Sequence, residues 1–449
     1  MRKQKGNRKS SPWRGLAAMG LCAVLVVALA GTSLAAQTPG EEGFLSRQVT
    51  ALAQALGRQP TGAKPLTPVT PPKGDTFIED NPVSDAFLAA QADFAYATAA
   101  QVMGGATGNV SYSPLSLYYA LALAATGGEG ETAAELLDLL GVESKEELAA
   151  QSANLYCRLY RDNEIGKLRI ANSLWMNQGV QWKGAFVDQA AQSFYAACFQ
   201  EDFSDPATAR KMSAWVAGQT GGLLQPEISL DNPQQILSIL NTVYFRDQWI
   251  DRFSEDQTQP DAFTRADGTQ VTCDFMNRTD PSTGFSKGEN YLRASLSLKN
   301  AGGMIFILPD RDTSVQDLLA DQETLREALA GGESCYGKVI WKIPKFDSGC
   351  TLALKEALQA LGVTHAFRSD ADFSAITDQA AWISDVQQQT RVTLNEEGVA
   401  AAAFTNISFG GSAPPEDRGE MILDRPFLYA ITSPDGGLLF LGVCQDPTV

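Results

Sequence analysis

Residues 395–405 read Asn-Glu-Glu-Gly-Val-Ala-Ala-Ala-Ala-Phe-Thr. They follow a β-type run, Val392-Thr393-Leu394. From Gly398 onward almost every side chain is tiny, where an ordinary protein would place a turn. Alanine runs are normally helical. This one is followed by Asn406 to Pro415, with Gly410-Gly411 and Pro414-Pro415, which cannot continue a helix. Such a segment suits an exposed loop held ready for another structure. As a strand it would place Val399, Ala401, Ala403 and Thr405 on one face, and Ala400, Ala402 and Phe404 on the other. Neither charge nor proline occurs from Gly398 to Ser412, so each residue there can donate to a sheet ladder.

The chain of 449 residues carries a formal charge of −17. Its beginning differs from the rest. Arg2, Lys3, Lys5, Arg8, Lys9 and Arg14 precede an apolar stretch from Leu16 to Ala30, and Ser33-Leu34-Ala35 forms a small-x-small cleavage pattern. This predicts a secretory signal over 1–36. The competing expectation is an uncleaved anchor, because Leu16 to Ala36 is long enough to span a bilayer. Removal of the six basic residues leaves a charge of about −23, which repels phosphate backbones and excludes nucleic acid as the natural partner. The expected location is extracellular.

Residues 37–82 read as a proline-rich linker, preceded by a short helical pattern near Leu45 to Leu56. Residues 83–449 read as one domain. Its first half is helical: Ser84 to Met103, a helix opened by Ser113-Pro114 and running to Ala125, Thr132 to Leu140, Phe186 to Phe194, and Ala207 to Thr220. Strands follow at Gln235 to Tyr244, Tyr291 to Leu298, Met304 to Leu308, Val339 to Pro344 and Val392 to Leu394. Phe427 to Ile431 and Leu438 to Val443 flank a hairpin turn, and Thr351 to Leu361 reads as a late helix. The class is α+β on antiparallel sheets.

Chemistry-bearing motifs are few. The single histidine, His365, and Ser412 after two glycines do not make a triad, because nothing orients them toward an acid. Gly127 to Gly130 carries acids beside it and no lysine, so it is no phosphate cradle. Glu396 and Glu397 are adjacent and would face opposite sides of a strand, unlike an acid–base pair. The cysteines form no C-x-x-C, so no metal motif exists, and they are expected to be free thiols. Asn109, Asn277 and Asn406 open glycosylation patterns. No catalytic residues, metal or other cofactor are expected.

Several separated stretches nevertheless resemble one family. Asn109-Val-Ser-Tyr-Ser113-Pro114-Leu-Ser116 with Ala120-Leu-Ala-Leu and Gly127–Thr132 is similar to the early helix motif of the serpins. Asn241-Thr-Val-Tyr-Phe245 with Trp249 and Phe253 resembles their central strand motif. Glu396-Glu397-Gly398 with the alanines resembles their hinge, and Asp424-Arg425-Pro426-Phe427-Leu428-Tyr429 with Gly442 their closing hairpin. The likeness covers about residues 83–449 in the family's order.

The resemblance implies three β-sheets, eight or nine helices and an exposed reactive loop. It implies a serine protease inhibitor rather than an enzyme, monomeric, trapping its protease covalently while the cleaved loop enters the main sheet. A secreted member of bacterial type is expected. The hinge would be Glu396, Glu397, Gly398, Val399, Ala400, Ala401, Ala402, Ala403 and Thr405. Ser113, Pro114, Asn241, Trp249 and Gln388 would lie in the sheet-opening region. Gln388 replaces a usual histidine, and Asp247 a usual glycine. Counting from the hinge puts the reactive bond at Ser412-Ala413; counting from Pro414 puts it at Gly411-Ser412. Small residues there suit elastase-like or subtilisin-like proteases, whereas Phe409 would suit a chymotrypsin-like pocket and Arg418 lies too far along. About 17 residues separate Glu396 from Ser412, which as a strand would span ~55 Å. The alternative within the family is a noninhibitory carrier or binding protein, against which the small, uncharged hinge argues.

Overall fold

The computed structural model describes residues 21–31, 65–67, 69–72, 78–232, 234–300, 302–398 and 417–449. The expected Leu45–Leu56 helix, most of the linker and residues 399–416, with the hinge alanines and both candidate bonds, lie outside these.

In chain order the first elements are β1 (Leu21–Gly31), α1 (Asp85–Met103), β2 (Val110–Tyr112), α2 (Pro114–Gly127), α3 (Gly130–Leu140) and α4 (Lys145–Leu159). Next come β3 (Arg161–Asp162), β4 (Lys167–Asn177), α5 (Gly184–Ser193), β5 (Ala196–Glu201), α6 (Pro206–Gln219) and β6 (Gln235–Arg246). Then follow β7 (Gln259–Thr264), β8 (Gln270–Lys287), β9 (Tyr291–Ser297), β10 (Gly303–Pro309), α7 (Gln322–Ala330), β11 (Glu333–Pro344) and β12 (Phe346–Ala353). The chain closes with α8 (Lys355–Ala360), β13 (Ala381–Leu394), β14 (Asp417–Ile422), β15 (Phe427–Thr432) and β16 (Leu438–Cys444).

The main sheet has the order β12-β13-β1-β6-β4-β3, with β5 added parallel to β4. A second network of nine strands holds two groups joined at the long β8. One is β14-β11-β8-β7; the other runs from the end of β8 through β9, β10, β15 and β16 to β2. Three pairing groups thus carry the fold.

α2 is buried along its whole length and packs against β6 and β16. A helix apolar all round belongs in a core. Ser113 caps it, accepting from the Ser116 N–H, and Pro114 opens its first turn. On the opposite face of the main sheet, α6 encloses a second cluster with Trp175, Phe199, Met212, Leu240 and Tyr244. β6 is therefore buried on both faces, which explains why its apolar residues do not alternate with exposed ones.

Two sequence expectations are corrected. Thr351 to Leu361 is not one helix: β12 continues to Ala353, and only Lys355–Ala360 is helical. Val392–Leu394 is merely the end of a strand of 14 residues, β13. The polar run Gln387-Gln388-Gln389 hid its earlier part. The Leu21–Gly31 part of the apolar stretch expected as a signal forms a strand between β13 and β6, antiparallel to both. A continuous apolar run of this length with three valines fits a fully covered central strand as well as a signal core. No helix of the described residues is long and apolar enough to cross a membrane.

Candidate functional site: the hinge and the opening of the main sheet

β13 ends at Leu394 and runs into a turn, Asn395 to Gly398, before the small-residue segment. The Gly398 N–H donates to the Asn395 carbonyl at 3.2 Å. Gly398 has φ +69°, and a Cβ there would lie 2.4 Å from the Trp249 backbone nitrogen. Glycine is required for both reasons.

The turn is fastened from the body of the molecule. The Trp249 indole N–H donates to the Asn395 carbonyl at 3.1 Å, and the Phe253 N–H to the Glu396 carbonyl at 3.1 Å. Trp249 is fully buried and meets Phe253 edge to face, with Arg278 over the Phe253 ring at 5.0 Å. The Glu396 carboxylate is buried and accepts from the Thr258 hydroxyl at 2.8 Å and from Lys345 Nζ at 3.0 Å. Burial pushes its pKa up, but a backbone N–H, Thr258 and Lys345 together outweigh that and hold it below the usual glutamate value. Glu397 is less buried, and its backbone N–H donates to Asn395 Oδ1 at 3.1 Å. The two acids thus differ in burial, and the Glu396 carboxylate ties the turn down.

Below the turn a buried polar chain crosses under the sheet. Gln388 accepts from the Ser113 N–H at 2.8 Å through Oε1 and donates to the Ser113 carbonyl at 2.9 Å through Nε2. The Ser113 hydroxyl donates to the Leu439 carbonyl at 2.9 Å. The Ser116 hydroxyl donates to Asn241 Oδ1. Asn241 Nδ2 donates to Asn172 Oδ1 at 2.7 Å, and Asn172 Nδ2 to the Phe194 carbonyl at 2.6 Å. All five side chains are essentially inaccessible. The chain links β13 to β6 and β4 through the first turn of α2. Beside it, the Thr390 hydroxyl donates to the Ser111 carbonyl at 2.9 Å.

Ser113, Asn241 and Gln388 thus meet at the first turn of α2, which Pro114 opens, and Trp249 lies at the hinge turn. Gln388 supplies both a donor and an acceptor, so the replacement of histidine leaves neither Ser113 group unpaired. Asp247 is also accounted for. Its carboxylate accepts from the Gln248 and Asn300 N–H groups at 2.8 Å each and from the Asn300 side chain at 3.2 Å. It clamps the end of β6 to the turn between β9 and β10. Thr258, Lys345, Asn172 and Thr390 went unread: Thr258 and Lys345 lie in connections and Asn172 in β4, all far from the hinge in sequence, and Thr390 lies in the polar part of β13.

Other candidates resolve simply. His365 Nδ1 pairs with the Thr132 hydroxyl at 2.9 Å, a helix-anchoring contact. Arg418 lies in β14, beyond the loop. Six cysteines, Cys157, Cys198, Cys273, Cys335, Cys350 and Cys444, are free thiols. The Asn109 and Asn277 side-chain amides both donate within the fold, to the Asp446 carbonyl at 2.6 Å and the Gln257 carbonyl at 2.9 Å.

Residues 89–447 match the family model described as serpin, serine protease inhibitor. The chain belongs to the serpin family. Serpin-ZX of Arabidopsis thaliana is 27% identical over 376 residues, covering 76% of this chain and 92% of that protein. A thermophilic serpin, tengpin, in its native state superposes with a TM-score of 0.72 at 25% identity, covering 86% of this chain and 100% of that one. A thyroxine-binding globulin in complex with thyroxine shares the fold, with a TM-score of 0.68, 23% identity and coverage of 81% and 99%. The serpin fold is thus established for this chain. The plant relative lends no support to the expectation of a bacterial member.

Proposed function

We propose that this serpin is a secreted suicide inhibitor of elastase-like or subtilisin-like serine proteases. The observation that carries it is the placement of the hinge. A tightly fastened turn ends at Gly398, just past the end of β13, whose neighbouring position toward β6 is the one β1 holds. The residues that follow are small, uncharged and free of proline, and so able to fill that position.

The protease serine attacks the carbonyl carbon of Ser412. The Ser412–Ala413 bond breaks, an ester forms to the protease serine oxygen, and the Ala413 amine leaves with a proton. The freed end of the loop, carrying the ester, then enters the sheet beside β13. Gly411-Ser412 is the alternative bond. A covalent, monomeric complex without cofactor follows, and the protein itself turns over no substrate.

The purified protein mixed with elastase, subtilisin, chymotrypsin and trypsin, then run on denaturing gels, tests this. A denaturant-resistant complex with elastase or subtilisin, and a new amino terminus at Ala413 or Ser412, is the expected result. A new terminus after Phe409 would redirect the specificity to chymotrypsin-like enzymes. Clean cleavage by every protease without complex would leave a noninhibitory binding protein.

A further inference from the structure

β1 occupies the position between β13 and β6. Its register is regular on both sides from Leu21 to Ala28: Leu21 faces Val392 and Phe245, Leu25 faces Gln388 and Asn241, and Val27 faces Val386 and Ile239. It runs antiparallel to both neighbours, the direction a hairpin partner of β13 would take. If the hairpin is continued past Gly398, Val399 faces Leu394. Ala401 then faces Val392, and Thr405 faces Gln388. Leu21 to Ala28 would therefore stand in the places of Ala401 to Ser408, and one ladder cannot take both strands.

The two occupants differ at the decisive level. Asn241 and Gln388 belong to the buried polar chain under the sheet, and both face Leu25. Thr405 is the residue the loop would bring to that level, and Leu25 is the residue that β1 pairs there. One position away, Thr242 Oγ1 and Gln389 Oε1, which flank Val24, have no protein partner among the described residues. β1 is a strand of the right length and direction to hold this position.

We infer that the N-terminal segment is an internal plug of the main sheet: while Leu21–Gly31 is in place the reactive loop cannot insert, and removal of residues 1–36 opens the position. This rests on the inhibitory reading, and it gives removal of the signal segment a second consequence. The uncut chain would be held from trapping until it has been processed.

A full-length test uses the native Cys22, which faces Arg391 and Tyr244. Facing residues of an antiparallel pair have Cα atoms about 4.5–5.5 Å apart, inside the disulfide range. The variants Arg391→Cys and, from the other side, Tyr244→Cys are oxidised and mapped by peptide mass spectrometry. Each is expected to form a bond to Cys22. A Cys22 that is alkylated in both, with the fold retained by circular dichroism, would overturn the proposal.

The second arm replaces residues 37–43 of the full chain by a specific-protease site and follows binding of a fluorescent peptide with the sequence of residues 399–409. The oxidised Arg391→Cys protein is expected to bind at least tenfold less peptide than the same protein reduced and cut. Equal binding would refute the plug. Because this readout involves no target protease, peptide binding without any covalent protease complex would fault the inhibitor reading and leave the plug standing.

Discussion

Gln388 is where a single side chain carries most of the sheet-opening chemistry. Both ends of its amide pair with the backbone of Ser113, out of reach of water. Truncation strands a buried donor and acceptor, and each such orphan costs about 1–3 kcal/mol. Gln388→Ala is therefore expected to lower the unfolding free energy by at least ~2 kcal/mol in urea titrations, and Gln388→His to lower it less. Glu396 gives a pH signature. Its pKa is depressed in the folded state, so its contribution is fully present above the ordinary glutamate value, ~4.3, and fades as pH falls through the lower folded value. The stability advantage of wild type over Glu396→Gln should be constant near neutrality and shrink below about pH 4. An advantage that grew on acidification would contradict the geometry. Gln388 and Gly398 were legible from their spacing at the hinge, and Trp249 from the likeness of its stretch to the central strand motif. The groups around them were not: Lys345 and Thr258 arrive from connections and Asn172 from β4, which only the fold brings close.

At the scale of elements, strong periodicity was readable and polar strands were not. α1, α2 and the β15–β16 hairpin announced themselves by caps, buried faces and a glycine-rich turn. β13 was read only at its end, since three consecutive glutamines conceal a strand that buries just one face. β8 was missed because Pro281 and its polar neighbours look like a loop. Pro281 falls where the pairing of β11 with β8 shifts register between Gly337 and Val339, a place where a ladder donor is dispensable. β1 shows the same limit from the apolar side. A short run of valine, leucine and alanine reads equally as signal core or central strand, and only its neighbours decide. For the segment beyond Gly398 the element-scale prediction is Ala401→Pro. Proline removes one ladder donor and fixes φ, so the variant should be cleaved as a substrate with covalent complex reduced at least tenfold. The ratio of complex to cleaved chain on denaturing gels measures this.

For the whole molecule, the account makes the main sheet a receptacle with two possible occupants from one chain, one at each end of the sequence. The acidic surface and the signal-like start fit an extracellular life, and the free thiols mean that packing and the buried polar chain, rather than disulfides, hold the described fold. The target protease is encoded in a few residues near Ser412, so the fold alone does not reveal it. The central claim is that residues 399–409 become a strand beside β13 once the loop is cut. Hydrogen exchange of those amides, followed by mass spectrometry in protein freed of residues 1–36, tests it most directly. After loop cleavage the account predicts that protection of residues 399–409 rises at least a hundredfold, to match β6 and β13. Exchange as fast as before cleavage would contradict it.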